Sequence, residues 1–330
     1  MSTALLQKYC VLDEKSRQLL KETSEKYGYS ARVIHKLLRL ARTSADLAEV
    51  ENIRLEDVKR ILNYRDLDRS NNKMLVVIEM KYWIWLSTLP YIGTVSARKI
   101  ITVLKNPKNV YYSSEEELRK IGNLTLRQRN SILMNRELEN AKRIIEQCEK
   151  HRISLLPIEN PLYPKRAGNC NDAPIILYYK GTIQRMDKTV GIVGARRCTQ
   201  ETKRAVAELA VAYTEKQTAV ISGMAKGVDS YAHTACLKAK GYTVAVLANG
   251  LDICYPSEHE KLKECIENKG LVISEYPPGI RPTKYTFPKR NRLISAWSDE
   301  LIVVAAGKKS GALITADYSK KYGRKIIYCE

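Results

Sequence analysis

The second half of this 330-residue chain predicts an α/β domain built on a parallel sheet. Short apolar runs of the buried-strand type recur from residue 189 onward, and stretches with helical spacing, such as 200–216 and 228–240, separate them. Continuous apolar strands joined by crossover helices are typical of a sheet covered on both faces. The predicted strands are 189–193, 218–221, 243–247, 271–273, 300–304 and 325–328. Residues 181–330 therefore predict a doubly wound, Rossmann-like domain whose ligand lies beyond the carboxyl ends of the strands.

The preceding residues predict small all-helical domains, a segment over 1–70 and a second domain over 73–150. In the first, Ser30 offers an N-cap ahead of apolar side chains at helical spacing. These side chains are Val33, Ile34, Leu37, Leu38 and Leu40. A polar, turn-prone stretch at 68–73 predicts the linker between the two domains. Closely spaced prolines predict that 151–180 is an irregular connection to the α/β domain.

The domain over 73–150 contains a candidate helix-hairpin-helix of the SAM-like type. Its signature is an apolar residue, a turn at Gly93 and then a helix whose free N–H groups can face a phosphate. Arg98 and Lys99 follow on that helix, so these three residues are candidate DNA contacts. A second, weaker hairpin follows at Gly122. The alternative is an ordinary helix–turn–helix connection in a small bundle, because glycine often ends helices.

The chain carries a formal net charge of +20, from 56 Lys and Arg against 36 Asp and Glu. The excess is +3 over residues 1–72, +8 over 73–180 and +9 over 181–330. Such an excess favours a polyanionic partner, because each neutralised phosphate releases condensed counterions. Anionic membranes also attract basic surfaces, so charge alone does not decide between the two. The absence of a leader and of an apolar run of about 18 residues predicts a cytoplasmic protein with no membrane span.

The eight cysteines are scattered along the chain without a CxxC pair, and only four histidines accompany them. Zinc needs clustered ligands, and a disulfide framework would be denser in a chain of this length. The cysteines therefore predict free, mostly buried thiols in a reducing cytoplasm, and the sequence predicts neither a metal site nor a cofactor.

Glycines and cations follow the predicted strands at the edge where a ligand is expected. The first strand ends at Gly194-Ala195-Arg196, where the glycine lets the backbone approach a ligand and the arginine can meet a phosphate. This pattern is not G-x-G-x-x-G, and no acidic ribose-binding residue follows the second strand. Dinucleotide binding is therefore disfavoured.

The second strand ends in a loop with the composition of a phosphate cradle, Ser222-Gly223-Met224-Ala225-Lys226-Gly227. Small residues allow close approach, the N-terminus of the following helix favours an anion, and the lysine adds charge. Glycine at such a turn often has only a conformational role. The loop is not a Walker A motif, whose G-x-x-x-x-G-K-[ST] pattern is absent from the chain.

Two further turns complete the set of candidate phosphate contacts. Three cations and an amide enter one predicted helix N-terminus together, where burial without an anion would be costly. They are Lys289, Arg290, Asn291 and Arg292. The fifth strand leads to Lys308-Lys309-Ser310-Gly311, another glycine-bearing turn before a helix. Such turns at one edge of one sheet predict a phosphate-rich ligand.

Taken together, the motifs resemble the DNA-processing protein A family (DprA, also called Smf). They are Val193-Gly194-Ala195-Arg196, the loop 222–229 with Ala232-His233, Gly250-Leu251-Asp252 with Tyr255-Pro256, Ser274-Glu275, 287–292 and 310–316. Their order and spacing fit throughout, and the helical hairpin extends the resemblance to about residue 74. The resemblance implies single-stranded DNA binding without catalysis, dimerisation through the Rossmann-like domain, and handover of the strand to the RecA recombinase in natural transformation.

The resemblance also implies roles for single residues. Strand-binding positions of the family correspond to Arg196, Lys226, Lys289, Arg290 and Arg292. Asp229 and His233 match family motifs too, and we interpret them as a first-turn helix acid and a packed imidazole. The sequence departs from the family at Ala195, where Ser is usual, and at Ala305, where an acidic residue is usual. It ends at Glu330, before the family's Pro-Gly turn, which predicts a short sheet edge with weaker dimerisation.

Residues 1–69 resemble the C-terminal helical part of magnesium-chelatase-like ATPases of the ComM type, and residues 30–47 carry the likeness. The resemblance implies that Arg42 corresponds to a nucleotide-sensing arginine, although the chain has no phosphate loop for it to sense. We interpret the segment as a fused gene fragment, with a helical adaptor as the alternative.

Two alternatives to strand binding stay open. An enzyme that processes nucleoside monophosphates on this fold needs a Pro-Gly-Gly-x-Gly-Thr loop and a catalytic Glu, which the stretch 306–316 lacks. A nucleotide-sensing relative would bind a mononucleotide, and Arg196, Lys226 and Arg290 would serve that ligand equally well. The basic excess over 73–330 favours the polymer, since a mononucleotide needs only a few charges.

Overall fold

The computed structural model describes residues 10–27, 31–47, 50, 52–59, 79–307 and 310–329. The chain divides into two compact units, Met1–Ile78 and Glu79–Glu330. The predicted linker at 68–73 lies outside the described residues, and the finer domain boundaries stay predictions. No helix in the described part of the chain is both long enough and apolar enough to cross a membrane.

The first unit packs its helices around a small apolar core. Its numbered helices are α1 (Glu14–Tyr27) and α2 (Ala31–Leu47), and residues 55–59 are helical as well. The core consists of Cys10, Leu20, Leu37, Ala41, Ala45, Ile53 and Val58. Of the predicted apolar stripe, Leu37 is buried and Ile34 and Leu38 pack against the core. The N-cap at Ser30 and the side chains of Val33 and Leu40 lie outside what the structure describes.

The helical part of the second unit begins with a helical stretch over 79–88. The helices that follow are α3 (Thr94–Leu104), α4 (Pro107–Tyr112), α5 (Glu115–Arg119), α6 (Leu126–Met134) and α7 (Glu139–Lys150). Ser114 and Thr125 each form a capping box at a helix start, with Glu117 and Gln128 respectively. The core of this layer extends from Ile100 and its neighbours to Ile176, so the helices pack against the edge of the sheet.

Eight strands form one sheet in the order β1-β2-β6-β5-β4-β3-β7-β8. The strands are β1 (Ser154–Pro157), β2 (Ile176–Gly181), β3 (Thr189–Gly194), β4 (Ala219–Ser222), β5 (Thr243–Leu247), β6 (Leu271–Ser274), β7 (Glu300–Val304) and β8 (Lys325–Cys329). The last six run parallel to one another. The predicted doubly wound sheet is thus confirmed, with every predicted strand within one residue at either end.

The segment 151–180, predicted as an irregular connection, also contributes to the sheet. It contains β1, a short helix α8 (Lys165–Gly168) and β2. These two strands pair antiparallel, and β2 in turn pairs antiparallel with β6. The prolines end β1 and start α8 rather than excluding regular structure, because an edge strand tolerates proline at its end.

Helices cover both faces of the parallel strands. They are α9 (Gln200–Glu215), α10 (Val228–Lys238), α11 (Glu260–Lys269), α12 (Thr286–Trp297) and α13 (Gly311–Lys321), with a 3₁₀ turn at Ser257–His259. Alternate residues of each strand enter opposite layers, so Leu301 packs in the layer with Trp297 of α12 while Ile302 packs in the layer with Val206 of α9. This period of two within continuous apolar runs is what a sheet covered on both faces requires.

A buried ion pair ties α12 to the end of β6. The Arg292 guanidinium donates to the Glu275 carboxylate and to the Asp172 carbonyl, and only 7% and 9% of the Arg292 and Glu275 side chains are exposed. Burial raises the pKa of Glu275, and the Arg292 charge opposes that rise. Such a pair is sensitive to the loss of one partner, because the other charge then stays buried.

We expect Glu275→Gln to lower the free energy of unfolding by about 3 kcal/mol, because Arg292 would remain buried opposite a neutral side chain. Urea unfolding followed by circular dichroism measures the change. Glu208→Gln, which breaks the exposed pair with Arg204, is the control and should leave the stability nearly unchanged. Equal stability losses in the two variants would contradict a structural role for the buried pair.

Candidate functional site

A cavity of about 400 Å³ opens at the carboxyl ends of β3 and β7. The chain leaves β3 toward β4 on one side and leaves β7 toward β8 on the other, so these neighbouring strands form the topological switch point of the sheet. Open α/β sheets bind ligands at this point. The wall is mostly apolar, with Val193, Pro288, Ile294 and Ile314 among its residues.

Arg196 stands at the rim of this cavity. It is exposed, and its guanidinium carbon lies 5.8 Å from the centre of the Phe287 ring, a cation–π distance. It also lines a smaller cavity of about 60 Å³, as do Phe287 and Arg290. Gly194 was predicted to let the backbone approach a ligand, whereas the structure places it against the Val304 carbonyl of β7, with which a Cβ would collide. Arg196 therefore separates two hollows at the same sheet edge.

The loop after β4 is held by its own side chains. The Ser222 hydroxyl donates to the Ile192 carbonyl at 2.5 Å, and the Asp229 carboxylate accepts from the N–H groups of Gly223 and Ala225 at 3.1 and 3.3 Å. Two backbone amides of the predicted phosphate cradle are thus hydrogen-bonded to Asp229 and not to an external anion. Gly227 has a φ of +82° ahead of α10, which requires glycine.

Lys226 is the exposed cation of this loop. Its Nζ atom lies 2.6 Å from the Glu258 carboxylate, and slightly more than half of each side chain is exposed to solvent. A pair this exposed is weak, so Lys226 stays available to another anion.

Arg290 is buried beneath the rim, where it lines both cavities. It donates to the carbonyl oxygens of Gly223 at 2.5 Å and Val246 at 2.7 Å, and its guanidinium carbon lies 6.0 Å from the Phe287 ring centre. Burial lowers the pKa of Arg290, and the nearby Asp229 carboxylate opposes that drop. The sequence suggested an external anion for the buried cations of this helix start, whereas Arg290 is satisfied chiefly by backbone carbonyls.

The residues beside Arg290 divide by exposure. Lys289 is exposed, whereas Asn291 is buried and donates to the Gly311 carbonyl at 3.1 Å. Arg292 is turned to Glu275 and Asp172, away from the cavity wall. Of these four predicted contacts, Lys289 is the one whose charge reaches solvent in the structure.

The start of α13 forms the opposite lip of the cavity. Ser310 and Gly311 both line it, and the Ser310 hydroxyl accepts from the Ala312 N–H at 3.3 Å as the helix cap. A Cβ at Gly311 would meet nothing within 4 Å, so the backbone there is open to a ligand. The neighbouring Lys308 and Lys309 lie outside the described residues.

The structural interpretation of Asp229 and His233 is confirmed. Asp229 binds the loop amides, and its pKa is raised by burial. His233 is fully buried with Nδ1 2.7 Å from the Thr243 hydroxyl, and burial lowers its pKa to about 3. The imidazole is therefore neutral near pH 7 and packs in the core.

The predicted hairpin residues fall in the helical layer. Gly93 precedes α3 and is exposed together with Lys99. Arg98 donates to the Gly168 carbonyl at 2.6 Å, so its guanidinium joins α3 to α8 instead of facing solvent freely. In the first unit, Arg42 donates to Asp46 and to the Val50 carbonyl.

Three residues at the site were given no role by the sequence. The ring centres of Tyr255 and Phe287 lie 5.6 Å apart, so an aromatic surface borders Arg196. Glu258 pairs with Lys226 at the same edge. Tyr255-Pro256 and Phe287-Pro288 were visible in the sequence. The contact between Tyr255 and Phe287, which lie 32 positions apart, was not predictable from it.

Comparison with known proteins adds independent findings. Residues 154–330 match the family model described as DNA recombination-mediator protein A, and residues 1–65 match the C-terminal model of magnesium chelatase subunit ChlI. Protein Smf of Synechocystis sp. is 31% identical over 76% of this chain and 64% of its own length. DNA processing protein DprA of Streptococcus pneumoniae is 39% identical over 50% of this chain and 58% of its own length. The chain thus spans about three fifths of these relatives.

A solved structure is similar as well. The X-ray structure of DNA processing protein A from Streptococcus pneumoniae superimposes with a TM-score of 0.62 and 30% identity, over 75% of this chain and 84% of that chain. The aligned share is longer than the sheet domain alone, so the similarity extends beyond the sheet.

We expect Gly223→Ala to lower the free energy of unfolding by about 1–3 kcal/mol, because the added Cβ would fall on the buried Arg290 guanidinium. Gly311→Ala is the matched control at the same cavity edge, where a Cβ has free space. Urea unfolding of both variants tests the difference. An unchanged stability for Gly223→Ala would show that Arg290 does not need its enclosed position.

Proposed function

Because the family model matches more than half of this chain, the protein belongs to the DNA recombination-mediator protein A family, and we propose that it binds single-stranded DNA at the switch-point cavity. The observation that carries the proposal is the position of Arg196 over the Phe287 ring between two hollows. A nucleotide needs a cation for its phosphate and a ring or apolar wall for its base, and both are present here.

The proposed contacts with the strand come from three sides of the cavity. Arg196 and Lys226 lie at the ends of β3 and β4, and both are exposed cations. Lys289 adds a third exposed cation from α12, while Ser310 and Gly311 offer backbone from α13. Phosphates of a strand passing over this edge would meet all three cations.

We assign a positioning role to the remaining predicted contacts at the cavity. The loop residues Ser222, Gly223 and Gly227 hold Lys226 in place, and Arg290 fixes the backbone beneath it. Asn291 joins α12 to α13, and Arg292 joins α12 to β6 through Glu275. In the helical layer, Gly93 and Lys99 are proposed as secondary contacts with DNA, and Arg98 anchors their helix.

The polymer is favoured over a mononucleotide by the distribution of charge. The cavity is bordered by Arg196 and Lys226, which either ligand could use, but the basic excess of +8 over 73–180 and +9 over 181–330 exceeds what a mononucleotide requires. The apolar wall and the Tyr255–Phe287 surface suit bases of a strand that stack in succession. A nucleotide-sensing role on the same fold is the second candidate.

We propose a binding role without catalysis. Asp229 at the cavity accepts two backbone N–H groups, and His233, buried on the same helix, contacts Thr243 through Nδ1 and has its pKa lowered to about 3. A general acid or base would need to reach a substrate proton with a pKa near neutrality.

Three further proposals follow from membership of the family. We propose that the bound strand is passed to the RecA recombinase in natural transformation, that the protein acts in the cytoplasm, and that it forms a homodimer. The eight free cysteines suit a reducing compartment.

We expect the double variant Arg196→Ala with Lys226→Ala to bind a long oligo-dT at least about a hundredfold more weakly, since each charge-assisted contact is worth about 1.5–3 kcal/mol. Fluorescence anisotropy at moderate salt measures the affinity, and circular dichroism checks the fold. The control is Lys238→Ala with Lys269→Ala. It removes the same charge at the C-terminal ends of α10 and α11, near the amino ends of the strands, and should change binding little. Wild-type affinity in the Arg196/Lys226 variant would exclude this cavity as the strand site.

The salt dependence separates a strand from a mononucleotide. With three cations on three phosphates, log K should fall against log salt with a slope of about −2 or steeper for a single strand. The titration compares oligo-dT, a duplex of equal length and a thymidine monophosphate. A shallow slope together with preference for the monophosphate would support the nucleotide-sensing alternative and end the strand proposal.

A further inference from the structure

The segment after β5 folds back over the loop that carries Lys226. Tyr255 and Pro256 line the smaller cavity, and the 3₁₀ turn Ser257–His259 follows directly. Nδ1 of His259 lies 3.0 Å from the Met224 carbonyl, which fixes the turn against the loop. The next contact along this turn is the ion pair between Glu258 and Lys226, at 2.6 Å. The Glu258 carboxylate is thus paired with Lys226 at the edge of the cavity.

We propose that Glu258 is an internal anion that holds the phosphate position on Lys226, so that DNA must displace it, and that this exchange sets the affinity and the salt dependence of strand binding. The inference rests on the proposed function, because it concerns the same lysine. It assigns Glu258 a role that opposes the cations around it and that the predicted phosphate contacts did not include.

The position of Glu258 makes it an effective competitor. His259 tethers the turn to the loop, so the carboxylate stays within reach of Lys226 at a high effective concentration. Both side chains are about half exposed, which keeps the pair weak enough for a phosphate to open it. Once displaced, the carboxylate remains beside the strand and repels its phosphates.

The exchange also reduces the counterions released on binding. A phosphate neutralised by a free lysine releases its condensed cation into solution. When the lysine comes from an ion pair, the freed Glu258 carboxylate keeps a cation nearby, and the net release is smaller. Salt also weakens the internal pair, so competition from Glu258 is strongest when salt is low.

A neighbouring carboxylate provides the matched control. Glu260 lies two residues further, at the start of α11, and is exposed. No ion pair involves Glu260 among the residues that the structure describes. Glu260→Gln therefore removes the same charge from the same segment without freeing Lys226.

The experiment measures oligo-dT affinity for the full chain from about 50 mM to about 200 mM salt, the range over which counterion release is resolved. At about 50 mM salt we expect Glu258→Gln to bind oligo-dT about twofold to fivefold more tightly than Glu260→Gln. A difference of this size corresponds to the interaction energy of one exposed ion pair. The log–log slope of Glu258→Gln should be steeper by up to about 0.7, the contribution of one phosphate of a single strand. The affinity difference between Glu258→Gln and Glu260→Gln should become smaller as the salt concentration rises.

A second background shows whether the effect passes through Lys226. In the Lys226→Met background, adding Glu258→Gln should increase the oligo-dT affinity no more than adding Glu260→Gln does. A full gain in that background, or equal affinities of the two glutamine variants in the wild-type background, would overturn the role of Glu258. The proposed function fails separately: wild-type protein without salt-dependent oligo-dT binding removes both, whereas normal binding with an inert Glu258→Gln removes the present inference alone.

Discussion

The Arg290 guanidinium is the contact on which the site depends. It reaches from α12 under the loop after β4 and binds carbonyl oxygens at the ends of two adjacent strands, those of Gly223 and Val246. A buried charge would be unfavourable without such partners, and the Asp229 carboxylate adds an opposite charge nearby. Gly223 has no side chain, which leaves the space that the guanidinium fills. The position of Lys226 is fixed as a consequence.

This arrangement divides the basic residues of the sheet edge into two groups. Arg290 and Arg292 are buried, with partners inside the protein, and they connect α12 to β4, β5 and β6. Arg196, Lys226 and Lys289 are exposed above them. Internal partners stabilise the framework independently of any ligand, while the exposed group carries the charge that a phosphate can meet. A motif of consecutive cations thus contains residues with opposite physical roles.

The sequence predicted the fold because its signals are local. Continuous apolar runs marked all the parallel strands. Gly194 and Gly227 were predicted to face a ligand, but their closest neighbours in the structure are backbone atoms of the protein itself. The strands β1 and β2 were not predicted, since the closely spaced prolines between them suggested an irregular connection.

The roles within the site were harder to predict, because they depend on partners far along the chain. Arg292 is paired with Glu275, seventeen residues earlier, and Arg290 binds the carbonyl of Gly223 at a separation of 67. Arg98 bonds to Gly168 across 70 residues. A residue type and its spacing show that a cation is present, but burial decides whether it faces a ligand, and burial follows from tertiary packing.

The helix α13 connects the cavity to the last strand of the sheet. Its first residue lies at the cavity, its middle is joined to α12 by the Ser295 hydroxyl, which donates to the Thr315 carbonyl at 2.6 Å, and its last turn leads into β8. With 11 residues, this helix is about 16 Å long. A ligand in the cavity and any partner that binds at β8 would therefore contact opposite ends of one helix, and thermodynamic linkage requires any coupling between the two to be reciprocal.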